Sequence, residues 1–279
     1  QVAMVEVDRP DRKSRRRVGK SDPIDACAAA RAALAGTATG LPKAGDGKVE
    51  ALRNLRIARR GAVAARSDSI RQLKSVLVTA PEPLRDQLRG LGTAALIATC
   101  ARLRPDPARA GEPEHAVKIT LRALARRHGT LSAEITELDE LIGPLVTAIN
   151  PALLKVTGVG AEVAGQLLVT VGDNPDRIRT EAAFAMLCGV APLPASSGAT
   201  TRHRLNRGGD RHANAALHTA VITRLRHDPA TRDYMQRRTT EGKTTREVIR
   251  CLKRLLARQL YYLLTKPPKP LQNLQRAAA

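Results

Sequence analysis

Two aspartates stand three residues apart in KSDPIDACAAARAALAG, residues 20–36, directly behind one of the most basic stretches of the chain. At positions i and i+3, Asp22 and Asp25 project from one face of a helix at its positively polarised start. Such a pair can share a hard divalent cation, which takes oxygen ligands and keeps water positions open to a phosphate. The same residues also make a good helix start, with Asp22 as N-cap and Asp25 as a first-turn acid. A second candidate chemistry lies in PASSGATTRHRLNR, residues 194–207, where Ser197 and its neighbour Ser196 precede Arg202, His203, Arg204 and Arg207. A serine nucleophile needs activation, and the phosphoryl group it attacks needs charge stabilisation that guanidinium groups supply. A Ser-Ser-Gly sequence is equally a common turn. His203, His212 and His218 have no familiar metal-ligand spacing, so phosphate contact or surface placement is expected of them.

A third signal is LLKVTGVGAEVAGQLL, residues 153–168, with apolar residues on both sides of Gly158-Val159-Gly160 and Ala164 where two helices would touch. It resembles a helix-hairpin-helix. Two glycines let a turn approach a phosphate closely, and N–H groups at the start of the following helix bind the anion without reading sequence. An ordinary tight turn between helices uses the same residues.

Bulk composition agrees with a polyanionic partner. The 279 residues carry a formal net charge of +21, and aromatic residues make up 1% of the chain. A core of Leu, Val, Ile and Ala favours helices over aromatic-rich sheets, and the charge makes nucleic acid the first partner to consider. Cys27, Cys100, Cys188 and Cys251 are far apart without a CxxC pair, so reduced thiols in a cytoplasmic protein are expected rather than a zinc site. No apolar run reaches the roughly 18 residues that a membrane span needs.

The elements that must position these residues can be read in order. VAMVEV, residues 2–7, reads as a buried strand, and RPDRKSRRRVGK, residues 9–20, as a basic loop in which Arg15, Arg16, Arg17 and Lys20 are phosphate contacts. A helix follows from Asp22 to Leu34, closed by Gly36. Residues 47–80 have helical periodicity, with Val63, Ile70, Leu73 and Leu77 on one face. Leu121, Leu124, His128, Leu131, Ile135, Leu138, Ile142, Leu145 and Ile149 alternate steps of three and four, a heptad seam that predicts a coiled coil within the chain or between chains. Helices are further expected from Thr180 to Cys188, from Arg211 to Leu225 behind an Asp210 cap, and from Thr244 to Leu264. A short hairpin is expected over 200–206, and the tail from 266 to 279 is expected to be disordered.

Taken in order, KSDPIDA, VTGVG, LCGVAP, ASSG and RHRLNRGGDRHANAALH resemble the motifs of the insertion sequence 110 family, the DEDD-type transposases. The resemblance implies a mainly α chain: a remnant of an RNase H-like (RuvC-like) α/β domain over 1–45, a helical coiled-coil region over 46–150, and an α-helical C-terminal transposase domain with a helix-hairpin-helix over 151–265. It also implies Mg²⁺ at four acids, of which Asp22 and Asp25 match the last two, and a serine nucleophile at Ser197, with Ser196 as the alternative. The implied partners are DNA, a structured guide RNA, and further copies of the chain in a dimer or tetramer. The first two acids have no counterpart here, so an N-terminally truncated chain, inactive alone, is expected. A non-catalytic helix-hairpin-helix nucleic-acid-binding protein is the alternative, and its backbone binding would account for the charge equally well.

Overall fold

The computed structural model describes residues 4–7, 22–38, 40, 42, 44–195 and 203–265. Among them the chain is mainly α-helical: α1 (Asp22–Leu34), α2 (Gly47–Val78), α3 (Glu82–Leu88), α4 (Thr93–Ala101), α5 (Pro113–Ile149), α6 (Ala161–Val171), α7 (Glu181–Leu187), α8 (Arg211–His227), α9 (Pro229–Thr240) and α10 (Thr245–Thr265). The one sheet described is an antiparallel pair, β1 (Leu193–Pro194) and β2 (His203–Arg204), with Leu193 opposite Arg204. The chain divides into two compact units, Leu52–Leu145 and the remainder.

In the unit Leu52–Leu145, α2 and α5 run antiparallel. Arg59 grips both carboxylate oxygens of Asp139, at 2.5 and 3.0 Å, and Leu73 and Leu77 share a buried cluster with Leu121 and Leu124. Of the heptad positions, Leu121, Leu124, Ile135 and Ile142 are buried, while His128, Leu131 and Leu138 are half-buried. The two short helices α3 and α4 close the end of the pair through Leu84, Leu88, Leu96 and Cys100. Neither helix is legible as a period in the sequence, because each is too short to repeat its apolar face.

In the other unit, α6 packs most extensively on α8, and α10 lies against α7, α8 and α9. Small residues permit this approach: Ala164, Ala213 and Ala220 are fully buried beside Leu167 and Leu217. The single phenylalanine, Phe184 on α7, is fully buried with its ring centroid 6.2 Å from that of Tyr261 on α10. Burying each such leucine or phenylalanine contributes about 1.5–3 kcal/mol, so the interlock of α6, α7, α8 and α10 is the stable platform of this unit. Helix α10 begins with a capping box, in which Thr244 N–H donates to Glu247 Oε2 and Glu247 N–H donates to Thr244 Oγ1. Helix α9 escapes sequence reading because Thr231 is its one buried residue, so it has no apolar stripe.

Two expectations change. The stretch 4–7 is not a buried strand: Met4 is 73% exposed and Val5 47% exposed, and the pairing is a single antiparallel bridge from Glu6 to Gly40. An apolar run becomes a buried strand only when neighbouring strands cover it, and the described residues supply none. The hairpin is also wider than 200–206, because its first strand is Leu193–Pro194.

Candidate nucleic-acid interface

The serine-bearing segment lies between β1 and β2, and its two feet are anchored on α7. Helix α7 starts at an N-cap in which Thr180 Oγ1 accepts from Ala183 N–H, and it ends at Gly189 with φ +65°. On the return, Gly209 has φ +83°, and a Cβ there would lie 2.5 Å from the Leu187 carbonyl oxygen, so only glycine lets the chain pass. Asp210 N–H then donates to that same oxygen at 2.6 Å. The Asp210 carboxylate caps α8 by accepting from His212 N–H and Ala213 N–H, and takes the Thr170 hydroxyl proton donor at 2.6 Å. Asn214 closes the arrangement: its Nδ2 donates to the carbonyls of Cys188 and Gly189 at 3.0 and 2.9 Å.

Between this frame and α9 and α10 lies a cavity of about 380 Å³. Arg204, Arg238, Lys243, Arg250, Lys253 and Arg254 line it, with Glu247 as the one lining carboxylate among the described residues. Arg238 pairs with Glu241, Arg254 with Glu181, and Arg250 with Glu247 at 3.9 Å. Arg204, Lys243 and Lys253 have no carboxylate partner among the described residues. Lys253 is 7% exposed, and its Nζ donates to Asn214 Oδ1 at 2.8 Å. Burial, and then the neighbouring Arg250 charge, push the Lys253 pKa below the ordinary lysine value. Cys188, under the same frame, is pushed up to about 12 by burial and by the charge of Asp210, which keeps it a thiol. A concave surface with surplus positive charge and few acids is suited to a phosphate backbone.

The Gly-Val-Gly turn is placed differently from its sequence reading. The segment before it is a five-residue 3-10 turn, Pro151–Lys155, rather than an α-helix. Gly158 has φ +81°, and a Cβ there would lie 2.6 Å from the Ala220 carbonyl oxygen; this glycine is required by packing on α8. Val159 is buried. Only Gly160 faces open space, at the N-cap of α6, where the first N–H groups of the helix are available to an anion. Arg224 locks the turn from behind, with Nε donating to the Thr157 carbonyl at 2.8 Å and Nη2 to Gln259 at 3.0 Å.

Asp22 and Asp25 occupy the first turn of α1, the former exposed and the latter half-buried. The helix ends in a Schellman arrangement, with Thr37 N–H to Ala32 O and Gly36 N–H to Ala33 O, both 3.1 Å. No cluster of three or more histidine, cysteine or acidic side chains that could hold a metal occurs among the described residues. The two hard carboxylates still suit Mg²⁺, which takes one or two carboxylates and completes its shell with water and phosphate. His203 and Arg204 lie on β2 at the cavity, and Arg207, His212 and His218 are exposed. Arg15, Arg16, Arg17, Lys20, Ser196, Ser197 and Arg202 lie outside the described residues. Sequence reading missed Lys253, Lys243 and Asn214. The available signal for Lys253 was its place beside Leu252 and Leu256 on the buried face of α10, an unusual position for a lysine.

Residues 150–236 match the family model described as the transposase IS116/IS110/IS902 family, and residues 1–80 match a second transposase model, of the DEDD type of IS110. The chain belongs to the insertion sequence 110 family of transposases. The two matched stretches of this family member contain the aspartates of α1, the Gly-Val-Gly turn and the whole β1–β2 segment, and they end before α10. The chain is 32% identical over 146 residues to the insertion element IS110 uncharacterized 43.6 kDa protein of Streptomyces coelicolor, covering 52% of this chain and 35% of that protein. It is 26% identical over 144 residues to the insertion element IS900 uncharacterized 42 kDa protein of Mycobacterium paratuberculosis, covering 50% of this chain and 36% of that protein. The matched stretch thus spans about a third of each relative's length. No helix among the described residues is long and apolar enough to cross a membrane.

Proposed function

We propose that this chain is a DNA recombinase of an insertion element, with Ser197 as nucleophile and Ser196 as the alternative. The observation that supports it best is the cationic cavity beside β1 and β2, the two strands that flank the serine segment. In the proposed step Ser197 Oγ attacks a DNA phosphorus and a phosphoserine ester forms. The bond from that phosphorus to a sugar oxygen breaks, and the departing sugar hydroxyl takes up the proton that the serine gives up. Arginines of the segment and of the cavity offset charge on the transferring phosphoryl group. Asp22 and Asp25 are the residues of this chain that would hold Mg²⁺, which supplies charge neutralisation at a phosphate when bound.

On the same reading residues 1–45 are the RNase H-like part and 151–265 the C-terminal transposase part. The Gly160 turn, with the short 3-10 turn before it and α6 behind it, contacts backbone phosphate in the manner of a helix-hairpin-helix, a structured guide RNA directs the reaction, and the α2–α5 pair acts as a coiled coil through which copies of the chain assemble. The test is a covalent protein–DNA adduct assay with labelled element-end DNA, Mg²⁺ and guide RNA. Since the chain alone is expected to be inactive, adduct is expected with the wild-type chain only when a family member that carries all four acids, its own serine replaced by alanine, is supplied with it, and loss of adduct is expected with Ser197→Ala. Persistence in Ser197→Ala with loss in Ser196→Ala would transfer the role to the neighbour; persistence in both would refute a serine nucleophile in this segment.

A further inference from the structure

We propose that the cavity lined by β2, α9 and α10 is a seat for one backbone phosphate of a nucleic-acid strand, with Lys253 as its buried cation and Lys243 and Arg204 at its rim. The proposal rests on the reading of this chain as a nucleic-acid enzyme and adds a ligand position and residues to it. Neither Lys243 nor Lys253 lies in the stretches that match the family models.

Lys253 is the central observation. A lysine that serves the fold alone is normally buried against a carboxylate. Here the nearby acids are already engaged: Glu247 holds the capping box of α10 and pairs with Arg250, and Glu181 pairs with Arg254 and Arg258. The partner of Lys253 is the neutral Oδ1 of Asn214. The orientation of that amide is fixed by chemistry, since its nitrogen faces two carbonyls that can only accept and its oxygen faces an ammonium that can only donate. An ammonium has three N–H donors, so two are left without a protein acceptor among the described residues. A positive charge held out of water with donors to spare is stabilised by an anion entering the cavity.

The size and lining of the cavity select the anion. About 380 Å³ is within the roughly 300–1,000 Å³ of ordinary ligand pockets and exceeds what a lone inorganic phosphate fills. Tyr234, Leu205 and Leu255 supply apolar wall for the sugar and base that flank a phosphodiester, and base stacking on an aromatic ring tolerates any sequence. Asn214 also ties Lys253 to the carbonyls of Cys188 and Gly189, at the foot of the serine-bearing hairpin. Occupancy of the seat therefore bears on the place where that hairpin leaves α7.

The test uses the full chain, with fluorescence anisotropy of labelled single-stranded DNA and, in a parallel arm, RNA of the same sequence, across a salt series. Lys253→Met is expected to weaken binding by about tenfold or more, the usual effect of losing a charged hydrogen bond. It should reduce the slope of log affinity against log salt by about 0.7, the value for one phosphate on a single strand. Its melting temperature is expected to stay within about 4 °C of wild type, because relief of a buried charge that has no carboxylate partner among the described residues offsets the hydrogen bond that Asn214 Oδ1 loses. Lys243→Gln, at the half-exposed rim, is a second variant that leaves the core untouched, and a smaller loss with the same change in slope is expected. Wild-type affinity and slope in both variants would overturn the proposal while leaving the nucleic-acid reading intact. Protection of the wild-type chain by inorganic pyrophosphate in a thermal melt, lost in Lys253→Met, would support an anion seat even if no oligonucleotide bound. Failure of both probes on the wild type would overturn both readings. Equal losses in the DNA and RNA arms are expected, since the shared phosphodiester is the ligand.

Discussion

The two glycines of the Gly-Val-Gly turn have different jobs, and substituting each by alanine separates them. At Gly158 an alanine must adopt φ +81°, which costs an L residue about 1–2 kcal/mol. Its Cβ would also stand 2.6 Å from the Ala220 carbonyl oxygen and 3.1 Å from Arg224 Cγ. The turn would have to lift from α8, and overpacking of this kind costs about 1–3 kcal/mol. Alanine restricts the unfolded chain and returns about 0.4–1 kcal/mol, leaving a net loss of about 1–4.6 kcal/mol, with a centre of about 3 kcal/mol. For a unit of this size the melting transition should fall by about 5–15 °C, followed by calorimetry or by helical circular dichroism. At Gly160 the backbone is already extended, with φ −87°, and nothing lies within 4 Å of an added Cβ. Gly160→Ala should melt within about 2 °C of wild type, because the slight loss at the N-cap offsets the gain in the unfolded chain. If Gly160 is the point of phosphate approach, that variant weakens DNA binding without weakening the fold. A Gly158→Ala protein that melts within about 2 °C of wild type would refute this account, as would a Gly160→Ala protein that falls equally far.

Thiol chemistry and acid titration supply two further tests. Cys27 is exposed, whereas Cys100 and Cys188 are buried and both have raised pKa values, Cys188 to about 12. A thiol reagent at neutral pH should label Cys27 quickly and reach Cys100 and Cys188 only after denaturation; fast labelling of Cys188 in peptide mapping would contradict the frame drawn around it. The hydrogen bond from Arg254, with the Arg258 charge beside it, holds the Glu181 carboxyl below the usual carboxylate range. A lowered folded pKa means that this contribution is present above the unfolded value, about 4.3, and is lost as pH falls through the folded one. Glu181→Gln should therefore flatten the acid limb of melting temperature against pH, and an unchanged limb would show that the α7–α10 ion pair contributes nothing there.

Much of the local structure was legible in the sequence because it depends on neighbours in the chain. The boundaries of α1, the Thr180 and Asp210 caps, the closing glycines Gly36 and Gly189, and the long helix through the heptad residues all follow from side chains a few positions away. The short α3 and α4 and the polar α9 were not legible, since a helix without a repeated apolar face announces nothing. VAMVEV misled for the complementary reason: an apolar run states that it can be covered, but not that anything covers it.

The candidate site divides along the same line. Residue order alone was enough to assign the family, because KSDPIDA, the Gly-Val-Gly turn and the Ser-Ser-Gly segment are local patterns of chemically specific residues. Composition was enough to point to a polyanion. What only the tertiary structure decided is which charges remain available. Arg238, Arg250 and Arg254 look the same in sequence as Arg204, Lys243 and Lys253, yet among the described residues the first three pair with carboxylates and the others do not. Lys253 meets Asn214 across 39 residues of chain, and Gly158 meets Ala220 across the packing of α6 on α8. Burial and pairing are properties of surfaces brought together from distant segments, so no window of sequence contains them.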